Sequence, residues 1–343
     1  MRLSFIRPIS CCAVSSYPTT SVKPQTPLFL KPSNYKTTLK DLKKWHLWAK
    51  TLASSVGSTF LKLDNGPHSD LLLRELNWLI EDAIETPKSL LQESHNTVSL
   101  RVCLDELYDL WKQRVEKRRP FQYVVGCEHW RDLVLSVQEG VLIPRPETEL
   151  IVDLVNDVVK DNEVLREGLW GDLGTGSGAL AIGIARILGC EGRVIATDLS
   201  HVATAVASYN VQRYDLEDKV LVKQGSWFEP LRDNEGEFVG LVSNPPYIPS
   251  KDIGGLQAEV GRHEPRLALD GGASGMNDLI HLCDGAVSML KPGGFFSFET
   301  NGDEQSKFLV HYIENKKQGS FSKVKMVPDF AGIKRFITGF RGR

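Results

Sequence analysis

No apolar stretch in this sequence approaches the roughly 20 residues needed to cross a bilayer as a helix, so a membrane span is not expected. Cysteine is scarce, six in 343 residues, and none forms a C-x-x-C pair. Cys11 and Cys12 lie near the N-terminus, while Cys103, Cys127, Cys190 and Cys283 are far apart. That spacing indicates neither zinc nor a disulfide framework, so no metal is expected and the thiols suit a reducing compartment. No internal repeat is visible. The sharpest absence is local, because residues 1–40 contain no acidic residue. They carry six basic residues, five prolines and many Ser and Thr, without a long apolar region and small-residue cleavage site. This is the composition of an organelle transit peptide, leaning to plastid over mitochondrion because arginine is rare and hydroxyl residues are common. A disordered tail is the alternative. Beyond residue 40 the chain holds 35 basic and 43 acidic residues, a net charge of −8, which argues against a general affinity for nucleic-acid phosphates.

After the tail the chain becomes helical in pattern. Leu72, Leu76, Leu79, Ile80 and Ala83 recur at helical spacing, as do Leu100, Leu104, Leu107, Tyr108, Trp111 and Val115. Residues 41–119 read as a small helical domain. The basic cluster Lys112, Arg114, Lys117, Arg118 and Arg119 reads as helix-end cations on a solvated face, with a partner-docking patch as the sharper alternative. Phe121–Val125 and Leu133–Val137 read as two short strands of a hairpin connector spanning 120–143. From residue 147 strands and helices alternate. Strands are expected near 169–173, 193–197, 219–223, 238–243, 293–299, 322–327 and 334–340. Helices are expected over 147–160, 178–188, 200–214, 274–290 and 303–316. Such alternation predicts a doubly wound α/β sheet with its ligand at the carboxyl ends of the strands.

Two motifs fall at those ends. Leu169–Leu173 leads into Gly174-Thr175-Gly176-Ser177-Gly178, where glycines let the backbone turn sharply and approach a ligand closely. A glycine-rich turn alone also fits dinucleotide binding. The next strand ends at Asp198, whose carboxylate can accept both ribose hydroxyls of an adenosyl group. Ser226-Trp227 comes after the third strand and would place an aromatic beside an adenine, although a tryptophan there can equally be core. Asp172 puts negative charge near the turn, unwelcome to a pyrophosphate and welcome to the sulfonium and ammonium of S-adenosylmethionine. The second motif, Asn244-Pro245-Pro246-Tyr247, closes the apolar run Phe238–Val242. Pro245 holds Asn244 extended, and two prolines remove two backbone donors, leaving outward-facing acceptors that suit a planar –NH2 group. An ordinary proline-rich turn is the bland alternative.

Together Asp172–Gly178, Asp198 and Asn244–Tyr247 resemble class I S-adenosylmethionine-dependent methyltransferases acting on planar nitrogens. Pro120-Phe121-Gln122-Tyr123-Val124-Val125-Gly126, Ile143-Pro144-Arg145-Pro146-Glu147-Thr148-Glu149 and Glu264–Gly272 resemble the signatures of the HemK/PrmC family of protein-(glutamine-N5) methyltransferases. The resemblance covers about residues 70–340. It implies a seven-stranded mixed Rossmann-like sheet over 144–343, a helical substrate-docking domain over 41–119 and a hairpin linker over 120–143. It implies S-adenosylmethionine as cofactor and a peptide chain release factor as protein partner; the tail adds an organellar setting, and a monomer is expected without any sequence feature that fixes it. Cofactor contacts are expected from Gly174, Thr175, Gly176, Ser177, Gly178, Asp198, Trp227 and Asn244. Substrate contacts are expected from Asn244, Pro245, Pro246 and Tyr247, with Asn244, Pro245 and Tyr247 catalytic. One departure stands out: Glu299-Thr300-Asn301-Gly302 where the family pattern is Glu-Ile-Gly, a polarity that puts local geometry in question. Arg145, Glu147 and Thr148 fit either a substrate or cofactor lid or a plain helix start. His263 is not expected to be catalytic. The competing readings are glutamine methylation of a ribosomal protein, N6-adenine methylation of nucleic acid, and a non-enzymatic cofactor-binding assembly factor. Adenine methylation would require a base-flipping pocket and basic groove, for which no recognition domain is visible.

Overall fold

The computed structural model describes residues 22–85 and 97–342. The transit-peptide reading falls largely on residues outside that range. Its boundary at 40 does not hold, because residues 25–40 are part of the folded body. Leu28, in a short 3-10 turn, is buried in the helical core. Gln25 is tied to the linker: its N–H donates to Gln138 Oε1 at 2.6 Å and its carbonyl accepts from Ser136 Oγ at 2.6 Å.

Strand β1 (Tyr35–Thr38) precedes α1 (Leu39–Val56). Thr38 caps that helix, its Oγ1 accepting from Asp41 N at 3.0 Å, and Gly57 at φ 52° ends it. Then come α2 (Thr59–Asp64), α3 (Ser69–Ala83), β2 (Thr97–Leu100) and α4 (Leu104–Val115). Strand β2 pairs antiparallel with β1, so Leu100 belongs to a strand and not to the helix its spacing suggests. Leu72, Leu76, Leu79, Leu107, Trp45 and Trp111 fill the core between α1, α3 and α4, and Trp111 Nε1 donates to Ala49 O at 2.9 Å. Phe121–Val125 is not a strand but a short helix, α5. Pro120 presets its start and Gly126, at φ 79°, stops it. Four of its five residues are buried, so the run carries no period that separates helix from strand. The hairpin comes next, as β3 (Cys127–Trp130) and β4 (Leu133–Ser136).

The larger α/β body contains α6 (Glu149–Val159), α7 (Glu163–Arg166), β5 (Leu169–Leu173), α8 (Ala179–Ile187), β6 (Arg193–Asp198), α9 (His201–Arg213), β7 (Val220–Gln224) and β8 (Phe238–Ser243). It continues through α10 (Ala258–Gly261), α11 (Asn277–Met289), β9 (Leu290–Glu299), α12 (Asp303–Lys316), β10 (Phe321–Pro328) and β11 (Lys334–Arg341). Seven strands form one mixed sheet in the order β10-β11-β9-β8-β5-β6-β7, with β11 alone running opposite to the other six. Every residue of β8 is buried, as a central parallel strand covered on both faces requires. Side chains of α6 and α8 pack one face and those of α11 and α12 the other. The chain leaves β5 towards β6 on one side and returns to β8 on the other, which opens a crevice at their carboxyl ends.

The basic cluster also differs from its sequence reading. Arg114 and Arg118 are buried, not solvated. Arg114 Nε donates to Glu75 Oε2 at 2.6 Å and its Nη1 to Glu259 Oε1 at 3.1 Å, while Arg118 bonds both Glu259 and Asp64. Glu259 stands on α10 of the α/β body, so this network fastens the helical domain to it. Burial alone would raise the Glu259 carboxyl, yet Arg118 and Arg114 hold it below its ordinary value. Removing one partner of such a network strands buried charge. Glu259→Ala is therefore expected to lower the unfolding free energy by about 3–5 kcal/mol, read from urea titration; a loss under about 1 kcal/mol contradicts this account.

Candidate active site

The turn after β5 is built from its own backbone. Gly174, Gly176 and Gly178 have φ of 75°, 57° and 85°, a region that L side chains rarely enter. Gly174 N and Thr175 N both donate to Thr197 O at 2.9 Å, and Gly176 N donates to Asp198 Oδ2 at 2.9 Å. The turn is thus laced to the end of β6. Beneath it Asp172 Oδ2 accepts from Thr175 Oγ1 at 2.6 Å and from Ala181 N at 3.0 Å, covering an orphan donor in the first turn of α8. Burial pushes the Asp172 carboxyl up to about 7, against those two hydrogen bonds, and its Oδ1 has no partner among the described residues.

A cavity of about 230 Å³ opens above this turn. Gly174, Thr175, Gly176, Ser177, Asp198, Trp227, Asn244 and Pro246 all reach its wall. Gly178, Pro245 and Tyr247 do not. Gly178 starts α8, Pro245 is buried between the lining residues Asn244 and Pro246, and Tyr247 packs into the core and turns its hydroxyl to Glu299 at 3.1 Å. The negative charge comes from other residues than the sequence suggests. Asp172 is fully buried, and the wall instead carries Asp198, Asp270 and Asp278. No Lys, Arg or His is among the described lining residues. Such a wall fits the cationic S-adenosylmethionine and disfavours a pyrophosphate. Asp270 is partly neutralised, since Arg266 Nη2 lies 2.8 Å from its Oδ2. Asp198 Oδ1 accepts from Ser200 N at 2.8 Å, and burial raises the Asp198 carboxyl above its ordinary value against the Ser200 and Gly176 bonds. Each carboxylate oxygen retains a further lone pair for a ribose hydroxyl. Trp227 holds an uncommon φ of 44°, with its ring against Gly174.

Asn244 directly succeeds the last residue of β8. Its Nδ2 donates to Thr148 Oγ1 at 3.0 Å, and Thr148 Oγ1 donates to Glu299 Oε2 at 2.7 Å. Glu299 thereby receives both Thr148 and Tyr247. Burial pushes its carboxyl up to about 7, opposed by those two bonds. Neither Asn244 Oδ1 nor the Pro245 carbonyl accepts a hydrogen bond from any described residue. Gln305 Nε2 donates to Tyr247 O at 2.8 Å and to Gly275 O at 3.2 Å, pinning the turn to the next loop.

The remaining candidates divide. Thr148 makes no capping bond at the start of α6; its hydroxyl serves Glu299. Arg145 Nη2 donates to Glu264 Oε1 at 2.6 Å and Ile143 N to Glu264 Oε2 at 3.1 Å, so these residues tie two loops together. Glu147 is half-buried. His263 Nε2 lies 2.9 Å from Lys117 O, away from the cavity wall. The residue that sequence reasoning missed is Glu299. A signal existed: strands expected at 238–243 and 293–299 are adjacent in this topology, and Ser243 pairs with Phe298, which sets Glu299 beside Asn244. The extra polarity after it is satisfied, since Thr300 Oγ1 bonds Arg335 O and Ser306 Oγ.

Residues 145–244 match the family model described as ribosomal protein L11 methyltransferase (PrmA), which is under a third of the chain. Release factor glutamine methyltransferase of Synechocystis sp. is 35% identical over 306 residues, covering 87% of this chain and 96% of that protein. The protein of the same description from Thermosynechococcus vestitus is 35% identical over 298 residues, covering 86% and 97%. That of Gloeobacter violaceus is 37% identical over 271 residues, covering 79% and 91%. The acidic cavity over a glycine turn, at the crevice of a seven-stranded mixed sheet, is what an S-adenosylmethionine-dependent methyltransferase needs, and over most of its length this chain belongs to the release factor glutamine methyltransferase family.

Proposed function

We propose that this protein methylates the side-chain nitrogen N5 of a glutamine in the Gly-Gly-Gln loop of a peptide chain release factor, within an organelle. The observation that carries the reading is Asn244, whose free Oδ1 stands on the cofactor cavity wall at the end of β8. A primary amide nitrogen is a poor nucleophile because its lone pair is delocalised into the carbonyl. S-adenosylmethionine, when bound, supplies an electrophilic methyl group. The chain supplies the rest. Asp198 would hold the ribose, Gly174–Ser177 the amino-acid portion, and Ser226 and Trp227 the adenine. Asn244 Oδ1 and the Pro245 carbonyl accept the two amide protons. They draw the nitrogen towards a geometry with its lone pair exposed, and they stabilise the positive charge that grows there. Holding the amide in line with the methyl lowers the barrier further. The surplus proton leaves after transfer, when its acidity has risen, so no general base is needed beforehand. Tyr247 contributes by anchoring the turn through Glu299, in place of the direct substrate contact expected from its sequence position.

A ribosomal protein as methyl acceptor is the second reading, favoured by the match of residues 145–244 to the ribosomal protein L11 methyltransferase family. That stretch covers the cofactor turn and Asn244 but none of the helical domain, so it speaks to the chemistry more than to the partner. Adenine in nucleic acid is disfavoured by the net −8 body and the acidic cavity wall. Incubation with labelled S-adenosylmethionine and release factor, ribosomes or DNA separates the three; label on the release factor glutamine is the expected result, and label on ribosomes or DNA alone overturns it.

The acid-free N-terminal segment supports import, with the plastid stroma favoured over the mitochondrial matrix. Because Gln25 is bonded to Ser136 and Gln138, processing is expected to end before residue 25, and a mature N-terminus beyond it counts against this assignment. Asn244→Ala should lower kcat by about 100-fold or more while cofactor affinity stays within about threefold; turnover within about threefold of wild type contradicts the mechanism. Asp198→Ala should weaken cofactor binding by about 10- to 100-fold in calorimetry, the loss of charged hydrogen bonds of about 1.5–3 kcal/mol.

A further inference from the structure

We propose that Glu299 and Thr148 are positioning residues that decide which end of the Asn244 carboxamide meets the incoming amide, an inference that rests on the glutamine-methylation reading. A threonine hydroxyl has one proton to give. Thr148 Oγ1 lies 2.7 Å from Glu299 Oε2 and 3.0 Å from the Asn244 side-chain amide. An ionised carboxylate only accepts, so Thr148 must spend its proton on Glu299. It can then only accept from Asn244, which is forced to offer Nδ2 inward and leave Oδ1 facing the cavity. Tyr247 OH occupies the other oxygen of Glu299 at 3.1 Å, so both carboxylate oxygens are committed to donors. Neither Thr148 nor Glu299 can reorient freely, since they are 4% and 1% exposed.

The direction of this relay matters because the substrate presents N–H groups. With Asn244 reversed, donor would face donor and the acceptor pair would be lost. Glu299 is the element that can release the relay. A neutral carboxyl donates one proton, and Thr148 is then free to donate to Asn244 and flip its polarity. The charged and titratable groups around Glu299 are Arg335 on β11, itself held by Asp329 at 2.6 Å, Glu147 before α6, and Tyr247, which Arg145 faces in turn. Burial is the dominant influence and moves the carboxyl up to about 7, so the ordered polarity is present above about pH 7 and is lost as pH falls through it.

The test is the pH dependence of methyl transfer to a purified release factor with an unmethylated Gly-Gly-Gln glutamine, between about pH 5.5 and 9. Wild-type kcat should fall on the acid side with a one-proton slope and a midpoint near 7. Glu299→Gln should be slower and flat over that range. Thr148→Val should lower kcat by about 10- to 100-fold with the KM for S-adenosylmethionine within about threefold, and Thr148→Ser should restore most of the loss. An unchanged acid limb in Glu299→Gln, or full kcat in Thr148→Val, overturns the relay while leaving the substrate assignment standing. A wild-type protein that transfers nothing to the release factor sinks the substrate assignment instead. The relay is then decided without substrate, by NMR of the Asn244 side-chain amide, assigned by its loss in Asn244→Ser. Those resonances should titrate with a midpoint near 7 in the wild type and stay fixed in Glu299→Gln; a signal that does not titrate in the wild type overturns it.

Discussion

The proton of the Thr148 hydroxyl points at Glu299 Oε2, 2.7 Å away, and much of the site depends on that direction. It makes Thr148 an acceptor for Asn244 Nδ2 and leaves Asn244 Oδ1 as the acceptor on the cavity wall. A carboxamide is nearly symmetric in shape and opposite in polarity at its two ends, so shape alone could not orient it. Orientation comes from a buried acid that lies beyond the substrate's reach. Catalysis by hydrogen-bond acceptors of this kind depends on their being fixed before the reaction begins, and the relay supplies that preorganisation.

The wider fold serves the same end. Parallel register between β8 and β9 sets Glu299 beside Asn244, and β5 sets the glycine turn on the other flank of β8. Gln305 and the Arg145–Glu264 pair fasten the loops that close the cavity. The buried network of Arg114, Arg118, Glu75, Asp64 and Glu259 joins the helical domain to the catalytic body. A protein substrate that engages both would meet a surface already in one arrangement. Carboxylates on the cavity wall, with no opposing cation among the described lining residues, favour a sulfonium-bearing ligand.

Much of this was legible in the sequence. The central strands of the large sheet, β5, β6 and β8, announce themselves as mostly apolar runs that end at turn residues, and the glycine turn and Asn244-Pro245-Pro246-Tyr247 fall at two of their carboxyl ends. Short elements were not legible. Phe121–Val125 is buried on several sides, so its pattern does not tell helix from strand, and only Pro120 and Gly126 betray it. Strand β1 lies in a stretch whose composition resembles a leader, and its partner β2 is distant in sequence, so neither shows local periodicity. Arg114 and Arg118 look like solvated helix-end cations because their acidic partners are up to 145 residues away. Glu299 was obscured for a related reason: its role is set by neighbours across the sheet and not by its own segment. Asp172 looked like a cavity charge and proved to be a buried support for the turn and the first turn of α8.

The most direct measurement is a crystal structure of the protein with S-adenosylhomocysteine and a Gly-Gly-Gln peptide. The account predicts the glutamine side-chain nitrogen about 3 Å from both Asn244 Oδ1 and the Pro245 carbonyl, with Thr148 and Glu299 still bonded behind. A glutamine amide bound elsewhere, or Asn244 presenting Nδ2 to the peptide, would contradict it.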